Sequence, residues 1–138
     1  MKYEDQLFEI YYSEVDKDYI SRLRSIVLSR MPDILDFFKI KFNGKIVIKL
    51  YDDIDCYKEN LIASFERNAI EDSKKQGMKV APRKYEDFMI ANTEDGNINM
   101  QSLRLVRMQD NYSNYTEEEF CLNSCHEFTH LCQTQIGS

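Results

Sequence analysis

Apolar and polar residues alternate from Leu7 to Tyr12, with Phe8, Ile10 and Tyr12 on one side of an extended chain and Leu7, Glu9 and Tyr11 on the other, which predicts a strand. The period then changes. Ile20, Leu23, Ile26 and Val27 recur at three and four, the spacing of a helix opened by Asp16 or Asp18, with Arg22, Arg24 and Arg30 mostly towards solvent. Pro32 lacks an amide donor and disfavours helical geometry in the residue before it, so this helix is expected to stop at Met31 and a short one to follow over Asp33 to Phe38. Lys45 to Tyr51, introduced by Asn43-Gly44, is β-branched and alternating and reads as the clearest strand.

Asp53 or Asp55 caps a helix through Tyr57, Leu61, Ile62 and Phe65 towards Ile70, fading over the polar run 71–77. Met78 to Glu86, with Pro82, reads as a loop. Phe88 to Thr93 and Ile98 to Leu103 flank Glu94-Asp95-Gly96-Asn97, and Asp-Gly between two strand-like runs predicts an antiparallel hairpin. The last helix begins at Thr116, where Thr116-Glu117-Glu118-Glu119 has the form of a capping box, and runs to about Thr134. The order strand, helix, strand, helix, hairpin, helix defines an α+β domain.

With 138 residues the chain has room for one hydrophobic core, and residues 1–138 are read as a single domain. Its apolar residues are too many for a disordered chain and too evenly spread for a membrane span. The net charge of −6, without a basic run to neutralise phosphates, excludes nucleic acid as an expected partner. No apolar stretch of signal-peptide type follows Met1, so a cytoplasmic location is expected.

Cys56, Cys121, Cys125 and Cys132 contain no two-residue gap of the kind used by thiol metal sites or redox motifs. At about 100° per residue, the last three fall within about 40° of one another on the final helix, and they read as a buried apolar stripe.

The two histidines of the chain occur as His126-Glu127-Phe128-Thr129-His130, inside that same helix. A sequence of this composition produces the HExxH pattern by accident roughly once in 800 times, which makes it worth a chemical reading. Four residues turn an α-helix through about 400°, so both imidazoles leave one face, one turn apart, where they can share a tetrahedral Zn²⁺. Glu127 sits about 100° further round, placed to act as general base towards a water whose pKa the metal lowers. With His126 at 0°, the three thiols fall at about −100° to −140°, and Leu131 and Phe128 lie on the same rear side. The helix is thus expected to bury its back and turn its histidines to a cleft.

These residues resemble the zincin metallopeptidases, in particular the gluzincin or peptidase MA-like branch. The likeness rests on His126 to Leu131, on the strand-helix-strand beginning, and on Asp95-Gly96-Asn97-Ile98-Asn99-Met100 ahead of the metal helix. It covers nearly the whole chain as the upper subdomain of such an enzyme, a mixed sheet with helices that ends in the HExxH helix. The resemblance implies His126 and His130 as zinc ligands, Glu127 as the catalytic base, and the strand Ile98 to Ser102 as the cleft edge that pairs with an extended peptide. Ile98, Asn99 and Met100 are the substrate-binding residues on this reading.

The family takes a third ligand, usually a glutamate, from a helix well downstream, and the chain departs from it there, eight residues after His130. The expectation is an N-terminal portion of a longer metallopeptidase, or a site completed by a partner chain. Glu119 lies about 10.5 Å along the helix axis from His126 and cannot share its metal. Asp110, Glu94 and Asp95 could offer an oxygen only if a loop folded over the cleft. Peptide deformylase, which pairs HExxH with an upstream cysteine, gives a weaker likeness through Cys56. The expected activity is zinc-dependent hydrolysis of peptides or proteins, and the alternative is a zincin-like binding module without catalysis.

Overall fold

The computed structural model describes residues 1–86, 89–94 and 96–137. The chain forms β1 (Lys2–Glu4), β2 (Phe8–Tyr11), a 3₁₀ turn (Glu14–Tyr19), α1 (Ile20–Phe38), β3 (Ile46–Tyr51), α2 (Ile54–Gln76), β4 (Ala91–Glu94), β5 (Asn97–Gln101), α3 (Leu103–Arg107) and α4 (Glu117–Gly137). The strands make one mixed sheet in the order β1-β2-β3-β5-β4. β2, β3 and β5 run parallel in its middle, and β1 and β4 are antiparallel borders. The α+β class expected from the pattern is therefore present. Among the described residues no helix is long and apolar enough to cross a membrane.

Strand alternation assigns the faces. Ile46, Ile48 and Leu50 of β3, with Ile98 and Met100 of β5, point into the main core, which α1 supplies with Leu23 and Val27 and α4 with Phe120, Phe128 and Leu131. Tyr51 points the other way and meets Tyr57 of α2, where Tyr57, Leu61 and Met89 form a second, smaller core. Cys121, Cys125 and Cys132 are buried in the main core as the angular spacing predicts, and burial pushes the Cys121 thiol up to about 11.

α1 and α4 are also joined by charge and by rings. Arg22 donates twice to the Glu117 carboxylate at 2.6 Å, and the Tyr19 and Phe120 rings meet edge to face at 5.3 Å. The expected capping box starts α4: the Glu119 amide donates to Thr116 Oγ1 at 3.1 Å, and the Thr116 amide donates back to Glu119 Oε1 at 3.2 Å. Asp53, one of the two residues expected to cap α2, accepts from the amides of Asp55 and Cys56. α2 ends at Gly77, whose φ of 66° is the left-handed conformation that glycine adopts without a Cβ clash.

Several expectations are corrected. Pro32 does not end its helix, because α1 runs unbroken to Phe38. Its ring lies on the exposed side, where water can satisfy the carbonyl that loses its helical partner, while Met31, Ile34, Leu35 and Phe38 continue the apolar stripe onto the core. Lys2–Glu4 pairs as an extra strand that its polar composition concealed. Leu103, read as the end of a strand, instead begins α3, with Ser102 Oγ accepting from the Leu105 amide at 3.2 Å. Of the expected hairpin, Phe88 and Asp95 lie outside the described residues, and β4 starts at Ala91, later than expected.

The expected cleft edge is also corrected. β5 is an interior strand, hydrogen-bonded to β3 on one side and β4 on the other, so its backbone has no free row for a peptide. Ile98, Asn99 and Met100 are buried at 0%, 4% and 1% exposure and cannot touch a substrate there. The border strand beside α4 is β4.

Candidate metal centre

α4 fixes both histidines by helical repeat, and its packed back decides which way they face. Phe128, Leu131 and Cys132 are locked in the main core, so positions 126 and 130 project into a groove of about 700 Å³ bounded by α4, β4 and α2. The ring centroids are 4.6 Å apart and the planes perpendicular. The two Nε2 atoms stand 3.1 Å from each other. Two nitrogens that each bind a tetrahedral zinc at 2.0–2.1 Å are about 3.3 Å apart, so the pair is already near the separation a shared ion needs.

Gln133, one turn beyond His130, sets the ring's tautomer. Its Oε1 accepts from His130 Nδ1 at 3.0 Å, which leaves His130 Nε2 unprotonated and facing His126 Nε2. His126, Glu127 and His130 are the group of possible ligands that converges among the described residues, with their ligand atoms within 4.8 Å of one another. Two imidazole nitrogens at this separation suit zinc, with the Glu127 carboxylate beside them.

Glu127 is 5% exposed although it borders the groove. Burial pushes its carboxyl above the ordinary carboxylate value, opposed by His130, His126 and a hydrogen bond from Thr93. Thr93, on β4, donates from Oγ1 towards the Glu127 backbone carbonyl at 3.1 Å and Oε1 at 3.3 Å. The border strand and the histidine helix are thus joined at the residue with the base's chemistry.

The other candidate ligands do not meet the pair. Cys56 is exposed in the first turn of α2, outside the converging group. Glu94 accepts from Arg67, Asp110 lines a different groove with Lys58 and Tyr85, and Asp95 lies outside the described residues. Glu119 is occupied in capping α4.

Sequence reasoning missed Thr93 and Gln133. Gln133 follows His130 by three residues on one helix and was open to detection as an i,i+3 pair. Thr93 carries no such local signal, because only the sheet order brings it to α4. Comparison with protein-family models, with curated proteins and with solved structures finds no match to the chain.

Proposed function

We propose that this chain carries the zinc-binding half of a gluzincin-type hydrolase acting on peptides. One observation bears most of the weight: two imidazole nitrogens 3.1 Å apart, with the Glu127 carboxylate within 4.8 Å, in a groove bordered by the terminal strand of the sheet. The zincin reading of the mixed sheet and its final helix belongs to the same proposal.

His126 and His130 would hold the metal, and Gln133 would keep His130 in the tautomer that can bind. A zinc ion there supplies Lewis-acid polarisation of a carbonyl and eases deprotonation of water. Glu127 takes the proton of the attacking water and delivers it to the leaving amine, a task suited to a carboxyl whose pKa burial has raised. Thr93 holds that carboxylate in place. β4, with one side free of strand partners among the described residues, takes the part first assigned to β5 and aligns an extended peptide by backbone hydrogen bonds. Among the described residues no third protein ligand besides the Glu127 base joins the two imidazoles, so the rest of a zinc shell would be open to water and substrate.

Metal analysis of protein purified without chelator tests the proposal, combined with peptide hydrolysis by Glu127→Gln. Zinc should be present and should be lost in His126→Ala. Glu127→Gln should keep the metal and lose hydrolysis by about 10²–10⁴-fold. Zinc below about a tenth of an equivalent would count heavily against the proposal, and full turnover by Glu127→Gln would remove that residue from the mechanism. The alternative, a binding module without catalysis, draws support from the presence of only two imidazoles and one carboxylate in the converging group. Zinc-loaded protein that binds peptides but never cleaves them would favour it.

A further inference from the structure

The groove beside the histidines is lined by a cation that the proposed chemistry leaves unused. Arg83, from the segment between α2 and β4, lies with its guanidinium carbon 5.6 Å from the centroid of the Phe65 ring, and both residues line the groove. The ring steadies the cation without using any of its N–H donors. Among the described residues Arg22, Arg24, Arg67 and Arg104 hold carboxylates, and Arg83, like Arg30 and Arg107, forms no ion pair.

The charges around it point the same way. Among the described lining residues Arg83 is the only lysine or arginine, and Glu127 the only carboxylate. The sequence from Lys74 to Lys84 holds Lys74, Lys75, Lys79, Arg83 and Lys84 and no acid, in a molecule that carries −6 as a whole. Apart from the two histidines, the other polar lining residues are amides such as Asn68 and Asn123 and hydroxyls such as Ser64 and Thr134.

The geometry points to Arg83 as a specificity-determining residue that selects peptides with an aspartate or glutamate near the bond presented to His126 and His130. A guanidinium held by one face offers a planar fork to one carboxylate. A nucleic acid is disfavoured, because a strand of phosphates would meet the net negative charge beyond this single wall. The inference rests on the peptide-groove reading above and adds the substrate class to it.

Fluorescence anisotropy with a labelled neutral hexapeptide, scanned with one glutamate or one lysine at each position, tests the selection by binding rather than turnover. It is run on zinc-supplemented Glu127→Gln protein so that the probes stay intact, with Arg83 and with Arg83→Ala or Arg83→Glu added. At one or two positions glutamate should tighten binding by about five- to tenfold at low salt, and this gain should shrink as salt rises. Arg83→Ala should abolish the gain, and Arg83→Glu should transfer it to lysine. Circular dichroism checks that the variants, altered at an exposed position, remain folded. An unchanged glutamate preference in folded Arg83→Ala overturns this inference and leaves the peptide-groove reading standing. Folded, zinc-bound protein that binds none of the peptides overturns both. A short oligonucleotide that binds tighter than the best acidic peptide, and loses affinity in Arg83→Ala, also overturns the inference.

Discussion

α4 and α2 both wall the groove and both present polar residues to it, but what stands behind them differs. Behind α4 lie Phe120, Phe128, Leu131 and three buried thiols, packed with α1 and with the apolar face of β2, β3 and β5. Behind α2 lie Tyr57, Leu61 and Met89, and the sheet offers them the polar side of β5, with Asn99 and Gln101 buried beneath. Among the described residues, three buried polar atoms find no partner: Tyr57 Oη, Asn92 Oδ1 and Gln101 Nε2. Strand alternation puts Asn92 and Gln101 on the α2 face, and the Tyr51–Tyr57 ring contact puts Tyr57 there too. An unmade hydrogen bond at a buried atom costs about 1–3 kcal/mol, so the α2 layer is the weaker one. The histidines are thus mounted on the better-packed wall, and Arg83 stands against the weaker one.

The largest effect expected from this contrast is in the cores. Phe128→Ala should lower unfolding free energy by about 3–5 kcal/mol, and Leu61→Ala by about 2–3 kcal/mol, read from urea midpoints at constant slope. Equal losses would break the comparison. Acid should act next, on the α1 side. Asp5 accepts from Tyr3, from the amides of Leu7 and Phe8, and from Arg24 of α1; against the opposing effect of partial burial, these hold its carboxyl far below the usual carboxylate range. Because the folded pKa lies below the unfolded value of about 3.9, the contribution is complete above that pH and drains away as pH falls beneath it. Asp5→Asn should therefore be less stable at pH 7 and show a flatter loss between about pH 4 and pH 2. An unchanged acid profile would sever this tie from the layer's stability.

Smaller effects separate the joint from the walls. Thr93→Val removes the hydroxyl that bridges β4 to Glu127 and should cost about 0.5–1.5 kcal/mol in a urea melt. It should also reduce hydrolysis more than peptide binding, since it loosens the base and not the strand edge. The smallest shift should come from Tyr57→Phe, which deletes an unpartnered hydroxyl in the weak layer. Stability should stay level or rise by up to about 1 kcal/mol, and a loss of more than that would mean the hydroxyl has a partner.

Much of this arrangement was legible along the chain because it is local. The Thr116–Glu119 box, the Asp53 cap, the alternation of Ile46, Ile48 and Leu50, and the rearward thiols all depend on residues a few positions apart. The errors occurred where a partner distant in sequence decides. Lys2–Glu4 becomes a strand because β2 is there to pair with it, and Pro32 is carried because the core holds the helix on both sides of it. Asn97 to Gln101 has the same local pattern whether it borders a sheet or lies inside one, and its place between β3 and β4 is a matter of sheet order.

The sequence by itself determined that His126 and His130 leave one helical face with Glu127 beside them, and that the opposite face is apolar. Helical repeat and side-chain polarity fix both without reference to any other segment. Only the tertiary structure decided which strand borders the groove, that Thr93 reaches Glu127, and that Arg83 shares the groove with the histidines. Those relations join residues tens of positions apart, and they come from sheet order and packing, which a linear pattern does not encode.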